Sequence, residues 1–307
     1  MSEIKLFNLK SGNAMEIAGE ADGLEKSLQT LFENNLETLL GVRFIATEHS
    51  TGKVHGGRID SLGIDENNCP VIMEYKRAIS ENVINQGLFY LDWLMDHKGE
   101  FTLLVRDRYS KDVADLIDWS APRLVCVASD FTKFDDHAIR QINRNIDLIR
   151  YRRFGSELLA LELASQVSAK TIQPIAPAKK PGRSNTASRD RSFAVALAEL
   201  DKEVRELYED VRSYILSLGD DVTEKQLKLY IAFRRIKSFV TIVPLPTKKQ
   251  LIVYLTLDPT SITIEEGFSR DMREISHWGT GNLELTVTDK ESLSKTLPLI
   301  QRSYEGM

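Results

Sequence analysis

Apolar residues recur at Leu24, Leu28, Leu31, Leu36 and Leu39, a spacing that lays one stripe along a helix ending at Gly41. Ahead of it, Lys5 to Leu9 and Met15 to Ala18 read as short strands. Behind it, Val42 to Thr47, Arg58 to Ile64 and Val71 to Lys76 read as strands, the last two joined by the turn-rich Asp65-Glu66-Asn67-Asn68. The pattern then predicts a helix from about Ser80 to His97, a strand at Phe101 to Val105 and a helix near Lys111 to Asp118. A strand at Arg123 to Ala128, a long helix from Asp135 to Arg150 and a strand at Leu158 to Leu163 complete the series. This order predicts an α/β fold, a mixed sheet flanked by helices.

Between Lys170 and Ser192 the periodicity stops, and Ala, Pro, Lys, Ser and Thr take over. Such a stretch predicts a flexible linker over residues 167–192, with one domain at 1–166 and another at 193–307. The second domain begins with a helix over about Phe193 to Leu218. Strands follow at Lys228 to Phe233, Ser238 to Val243, Leu251 to Leu257 and Leu283 to Val287, and a helix over Lys290 to Tyr304 closes a smaller α+β domain.

Composition narrows the function classes. With 42% hydrophobic and 28% charged residues, the chain has the balance of a protein with real cores. No apolar run approaches the roughly 20 residues of a membrane span, and residues 1–10 lack the order of a signal peptide. The expectation is a cytoplasmic protein without a membrane partner. Cys69 and Cys126, the two cysteines, stand in no zinc or redox spacing. The net charge of −5 repels phosphate weakly, so any nucleic-acid contact needs a local basic face.

The hairpin predicted at residues 58–76 brings chemistry into view. If its turn centres on Asn67, Asp60 lies opposite Glu74, where Cβ atoms are about 5 Å apart and like charges destabilise the pair unless a cation lies between them. Period-two alternation places Asp60, Leu62 and Ile64 on one face, with Ile72, Glu74 and Lys76 on the same face of the partner strand. Two carboxylates suit hard Mg²⁺ or Mn²⁺, and Lys76 would point at an attacking water. The competing reading is a half-exposed strand on which Glu and Lys pair across a pleat.

Gly57-Arg58-Ile59-Asp60 followed by Pro70-Val71-Ile72-Met73-Glu74-Tyr75-Lys76-Arg77 resembles the GRxD and ExK signatures of PD-(D/E)xK nucleases, in particular the NucS-like and RecB-like endonuclease domain. Gln86 and Tyr90 reproduce the QxxxY element that follows the ExK strand in those families. The resemblance spans most of residues 24–164. It implies a restriction-endonuclease-like fold and metal-dependent hydrolysis of nucleic acid, DNA in preference to RNA. Asp60 and Glu74 would be metal ligands, Lys76 would act on water, and Gln86 with Tyr90 would give support. It also points to an acidic residue on the preceding helix, for which Glu25 is the candidate, with Glu33, Glu37 and Glu48 as rivals. The DNA-binding N-terminal domain of NucS enzymes has no counterpart of similar size here, so mismatch specificity is not implied. The C-terminal half, especially residues 276–284, looks like an uncharacterised domain found after such nuclease domains in bacterial proteins labelled predicted transport proteins; with no membrane segment, transport is rejected as the molecular function.

Arg58 and Arg77, beside the two motifs, and Arg140 and Arg144, on the predicted long helix, are candidate phosphate contacts. For the last two, a solvated helix face balanced by nearby acids explains the charge equally well. Tyr109, Phe131 and Phe134 suit base stacking or a core. His277 and Trp278 beside Gly279 and Gly281 suit a ligand notch or, preferably, a Gly-rich turn. A homodimer is compatible with the sequence. The rival to a nuclease is a module that keeps the fold but binds nucleic acid or protein without cutting, with a regulatory second domain.

Overall fold

The computed structural model describes residues 4–9, 12–20, 25–76, 82–169, 192–275, 277 and 279–306. The chain divides into two units, residues 1–169 and 170–307. Most of the expected linker, and Arg77, Ser276 and Trp278, lie outside the described residues.

In the first unit β1 (Leu6–Asn8) and β2 (Met15–Ile17) form a small antiparallel pair. The main sheet uses β3 (Gly19–Glu20), β4 (Val42–Ser50), β5 (Arg58–Asp65), β6 (Pro70–Lys76), β7 (Arg123–Ala128), β8 (Asn145–Phe154) and β9 (Leu158–Val167). Its order is β3-β8-β7-β6-β5-β4, with β9 also paired to β8. β4, β5 and β6 are antiparallel, whereas β6, β7 and β8 run parallel. All six residues of β7 are buried, as expected of a parallel strand covered on both faces.

Helices supply the covers. α1 (Glu25–Leu40) turns Leu28, Phe32, Leu36 and Leu40 inward, each worth about 1.5–3 kcal/mol when fully buried, and Phe32 meets the Tyr75 ring of β6. Leu62, Ile64, Ile72, Leu124 and Leu148 belong to the other core. That core includes residues of α3 (Val83–Asp96), α4 (Lys98–Arg108) and α6 (Lys133–Arg140). α2 (Gly52–His55) and α5 (Lys111–Asp115) are short connectors.

Two predicted elements differ. Residues 101–105 lie within helix α4 rather than a strand: Phe101 and Val105 are buried one turn apart while Leu103 faces out, and a five-residue apolar run does not by itself distinguish the two periods. The long helix predicted over 135–150 ends at Arg140, and residues from Asn145 onward form β8. Ile146 and Leu148 enter the core at period two, and Asp147, between them, is buried 3.5 Å from Arg123.

The second unit packs α7 (Phe193–Ala198), α8 (Lys202–Ser217) and α9 (Lys290–Glu305) with a six-stranded antiparallel sheet. Its strands are β10 (Thr223–Gln226), β11 (Ile231–Arg234), β12 (Ser238–Leu245), β13 (Gln250–Leu255), β14 (Ser269–Asp271) and β15 (Leu283–Val287), ordered β10-β11-β12-β13-β15-β14. The single helix expected at 193–218 is interrupted before Asp201, whose carboxylate caps α8 by accepting from Val204 N at 3.0 Å. β10 and β14 are polar in sequence and carry no strand pattern of their own. Gly281, at φ 136°, comes so close to Leu255 that a Cβ would sit 2.7 Å from its backbone nitrogen. A close-packed turn accounts for that glycine.

Candidate active site

The β5–β6 hairpin is set by its turn. Asp65 Oδ1 accepts from the backbone N–H groups of Asn67 and Cys69, both at 2.9 Å, and Asn68 takes the left-handed conformation, φ 60°, that Asn tolerates. The register that follows pairs Ser61 with Met73 and Leu62 with Ile72. One step farther, Asp60 and Glu74 interlock. The Asp60 N–H donates to Glu74 Oε1 at 3.2 Å, and Asp60 Oδ2 accepts from the Tyr75 N–H at 3.0 Å.

Glu74 is fully buried, and among the described residues its Oε2 has no hydrogen-bond partner. Burial, reinforced by the Asp60 charge, pushes its carboxyl up to about 9. Asp60 is also raised, by burial first, against the Tyr75 N–H and the Lys76 charge. Burial acts to lower Lys76, but the ion pair with Glu25 and the nearby acids outweigh it, so its ammonium is held above the usual lysine range. Glu25, at the start of α1, lies 3.0 Å from Lys76 Nζ.

Gln86 and Tyr90 share one side of α3 and meet at 3.4 Å, amide to hydroxyl. Tyr90 Oη also accepts from the Arg58 N–H at 3.2 Å, bracing the strand two residues before Asp60. Gly57 makes room for this contact, since a Cβ there would lie 2.6 Å from the hydroxyl. An open cleft of about 680 Å³ runs over this corner, lined in part by Asp60, Gln86, Tyr90, Arg58, Lys53 and Glu48. Arg58 is paired with Glu48 at 3.3 Å, and Glu48 also meets Lys26 at 2.9 Å.

The structure thus brings Glu25, Arg58, Asp60, Glu74, Lys76, Gln86 and Tyr90 to one region. Arg140 and Arg144 are placed elsewhere. Parallel pairing aligns Lys76 with Ala128 at the C-terminal ends of β6 and β7, whereas Arg144 directly precedes Asn145, paired with Arg123 where β7 and β8 begin. Arg140 is engaged by Asp136 at 3.1 Å. Of the rivals to Glu25, Glu48 lines the cleft, and Glu33 accepts from Ser61 Oγ at 2.6 Å and from Gln29 at 2.9 Å.

Gln29 is a site-supporting residue that the periodicity does not single out. Nearly fully buried, its amide donates to the Asp60 carbonyl at 2.7 Å and contacts Thr47 Oγ1 at 3.1 Å. The signal present in the sequence is an amide beside the apolar stripe, one turn from both Glu25 and Glu33.

Comparison with known proteins adds a frame. Residues 196–306 match the model of a domain of unknown function (DUF5655). An uncharacterized protein of Haemophilus influenzae is 28% identical over 306 residues, covering 98% of this chain and all of that protein. Among solved structures, a repair endonuclease from Pyrococcus abyssi matches at 19% identity with a TM-score of 0.28, and an EndoMS complex with double-stranded DNA at 19% with 0.25. Each match covers 43% of this chain and 49% of the other, so the chain spans about half the length of the structures it matches. Similarity at this level does not assign the chain an activity. Among the described residues, no helix is long and apolar enough to cross a membrane.

Proposed function

We propose that the first unit hydrolyses phosphodiester bonds in nucleic acid, DNA in preference to RNA, with Mg²⁺ or Mn²⁺ held by Asp60 and Glu74. The observation that carries this reading is the buried Glu74 oxygen, without a partner among the described residues, beside a second carboxylate. An unsatisfied buried acid next to another acid is costly unless a cation enters. The donor set fits: two hard carboxylates suit these ions, and their shortfall as a protein cage is characteristic of Mg²⁺, which keeps waters and substrate oxygens. Among the described residues no group of three or more His, Cys, Asp or Glu makes such a cage. The ion would supply Lewis acidity and a water acidified enough to attack at neutral pH.

The chain's own groups define the remaining work. Lys76, held as an ammonium, has donors but no acceptor, so it orients water and offsets charge on the phosphate rather than removing a proton. Tyr90 and Gln86 fix the entry of β5, and Gln29, from α1, fixes the Asp60 carbonyl. The second unit would select the target or partner. One observation favours the non-cleaving alternative: Lys76 is already engaged by Glu25.

Incubation of the full chain with Mg²⁺, Mn²⁺ or chelator on single-stranded, duplex and branched DNA and on RNA tests the reading. Metal-dependent cleavage that is lost in both Glu74→Ala and Lys76→Ala, with binding kept within several-fold, is expected. Cleavage undiminished in either variant removes the assignment, and binding without cleavage by the unaltered chain selects the alternative.

A further inference from the structure

Beside the cleft the surface carries an apolar ring that the hydrolytic reading does not use. Phe89 follows Gln86 by three positions, which places the two side by side on α3, and it remains 48% exposed. Its underside is supported. The His55 ring lies 4.9 Å from it, His97 meets His55 edge-on at 5.9 Å, Trp93 stacks on His97 at 4.8 Å, and His49 lies 5.2 Å from Trp93. Trp93 is fully buried, so a chain of rings runs from the core to an exposed aromatic edge.

The loop that holds His55 is also fixed. Thr51 N donates to the Gly57 carbonyl at 2.9 Å, and Gly57 N donates to Thr51 Oγ1 at 2.9 Å, closing residues 51–57 around α2. The same loop sends Lys53 to the cleft wall. A cation on the wall and a supported aromatic ring at the rim are the two parts of a nucleotide grip, one for phosphate and one for a base.

We infer that Phe89, backed by His55, stacks an unpaired base of the nucleic acid whose backbone enters the Asp60 cleft, with Lys53 on a neighbouring phosphate. The substrate class is therefore nucleic acid that is single-stranded beside the scissile bond, because a base held within a duplex stack offers no free face to the ring. This inference rests on the nuclease reading for the presence of nucleic acid in the cleft. Isolated exposed aromatics are ordinary; what separates Phe89 is its support by a ring stack and its place beside Gln86 on the cleft.

The test measures binding in chelator, apart from cleavage, with a fluorescein-labelled oligothymidylate and a blunt duplex as probes. Phe89→Ala should weaken single-strand binding roughly five- to a hundredfold, from the range measured for base–aromatic stacking, with duplex binding little changed. Phe89→Trp should retain single-strand binding, and Phe89→Leu should lose it as Ala does. Thermal melts confirm that the variants fold. Lys53→Gln should weaken both probes and flatten the salt dependence by about one phosphate contact. If the unaltered chain cleaves nucleic acid but Phe89→Ala binds single strands as before, or Phe89→Leu binds as tightly as Trp, the stacking site is wrong and the nuclease reading stands. If the unaltered chain neither binds nor cleaves any nucleic acid, both fall.

Discussion

Replacing Glu74 by Gln tests the site without relying on any substrate. Gln keeps the shape and the acceptor for the Asp60 N–H but cannot ionise. In the folded, metal-free protein the Glu74 carboxyl holds its proton up to about 9, against 4.5 for an unperturbed glutamate. Between those values the unfolded chain has released a proton that the folded chain retains, so rising pH favours the unfolded state by about 1.4 kcal/mol per unit. The stability is fully present below about 4.5 and is lost as pH rises toward about 9. At pH 7 the ceiling is about 3 kcal/mol, and local relaxation with water entry reduces it to roughly 1–3 kcal/mol.

The assay is urea unfolding of both proteins in chelator across the range from acidic to alkaline pH. Comparing slopes removes any fixed effect of the substitution. Glu74→Gln should gain on the unaltered protein steadily as pH rises and should exceed it on the alkaline side. Adding Mg²⁺ or Mn²⁺ should reverse the order, since an ion at a hundred times its Kd stabilises the protein it binds by about 2.7 kcal/mol. Parallel pH profiles in chelator would refute the reasoning, for they would mean that Glu74 is ionised in the fold and that a partner already neutralises it.

Further outcomes follow from the neighbours. Asp60→Asn keeps an acceptor for the Tyr75 N–H while removing a carboxylate that burial penalises and whose charge helps hold the Glu74 proton. It should melt higher in chelator, by about 0.5–2 kcal/mol, and respond less to added metal; a lower melt with an unchanged metal response would make Asp60 structural. Tyr90→Phe leaves the Arg58 N–H and the Gln86 amide without their shared acceptor. A loss of about 1–2 kcal/mol and a fall mainly in kcat are expected from urea titration and kinetics. Gln29→Leu removes the donor to the Asp60 carbonyl and should cost about 1–3 kcal/mol. In that variant metal affinity, read by calorimetry, should fall with it, and unchanged affinity would leave Gln29 a purely structural residue.

What the sequence makes legible is mainly local. The β5–β6 register follows from one turn, in which Asp65 and Asn68 supply the turn chemistry, and from alternation along two short strands. The i, i+4 spacing of Gln86 and Tyr90 is enough to place them on one helix face. Where tertiary packing decides, the pattern misleads. The Phe101–Val105 run has strand composition, yet burial one turn apart makes it helical. The stretch from Asn145 to Arg150 resembles a continuation of α6 because Asp147 and Arg150 extend the charged face of Arg140 and Arg144. In the fold Asp147 is buried beside Arg123, and Arg150 is held between Asp130 and Glu162 at 2.8 and 2.6 Å. A strand interior can hold these charges because each has its partner on another element, which no period along the chain records.

The same distinction runs through the candidate site. Its charged trio lies on one hairpin, and a hairpin is a local object. The groups that hold the trio come from distant segments: Gln29 is 31 residues from Asp60, Tyr90 is 32 from Arg58, and Glu25 is 51 from Lys76. Each bond closes a long loop, which is entropically unfavourable, and each ends on a group close to the two carboxylates. An ordinary strand pair would turn such acids toward water. Here α1 and α3 clamp the strand from separate directions, and Gly57 gives up its side chain to admit the Tyr90 hydroxyl. The fold therefore holds Asp60 and the protonated Glu74 together in a buried corner; on the proposed function, a cation that displaced the Glu74 proton would gain from both carboxylates, and the rigid support would suit catalysis.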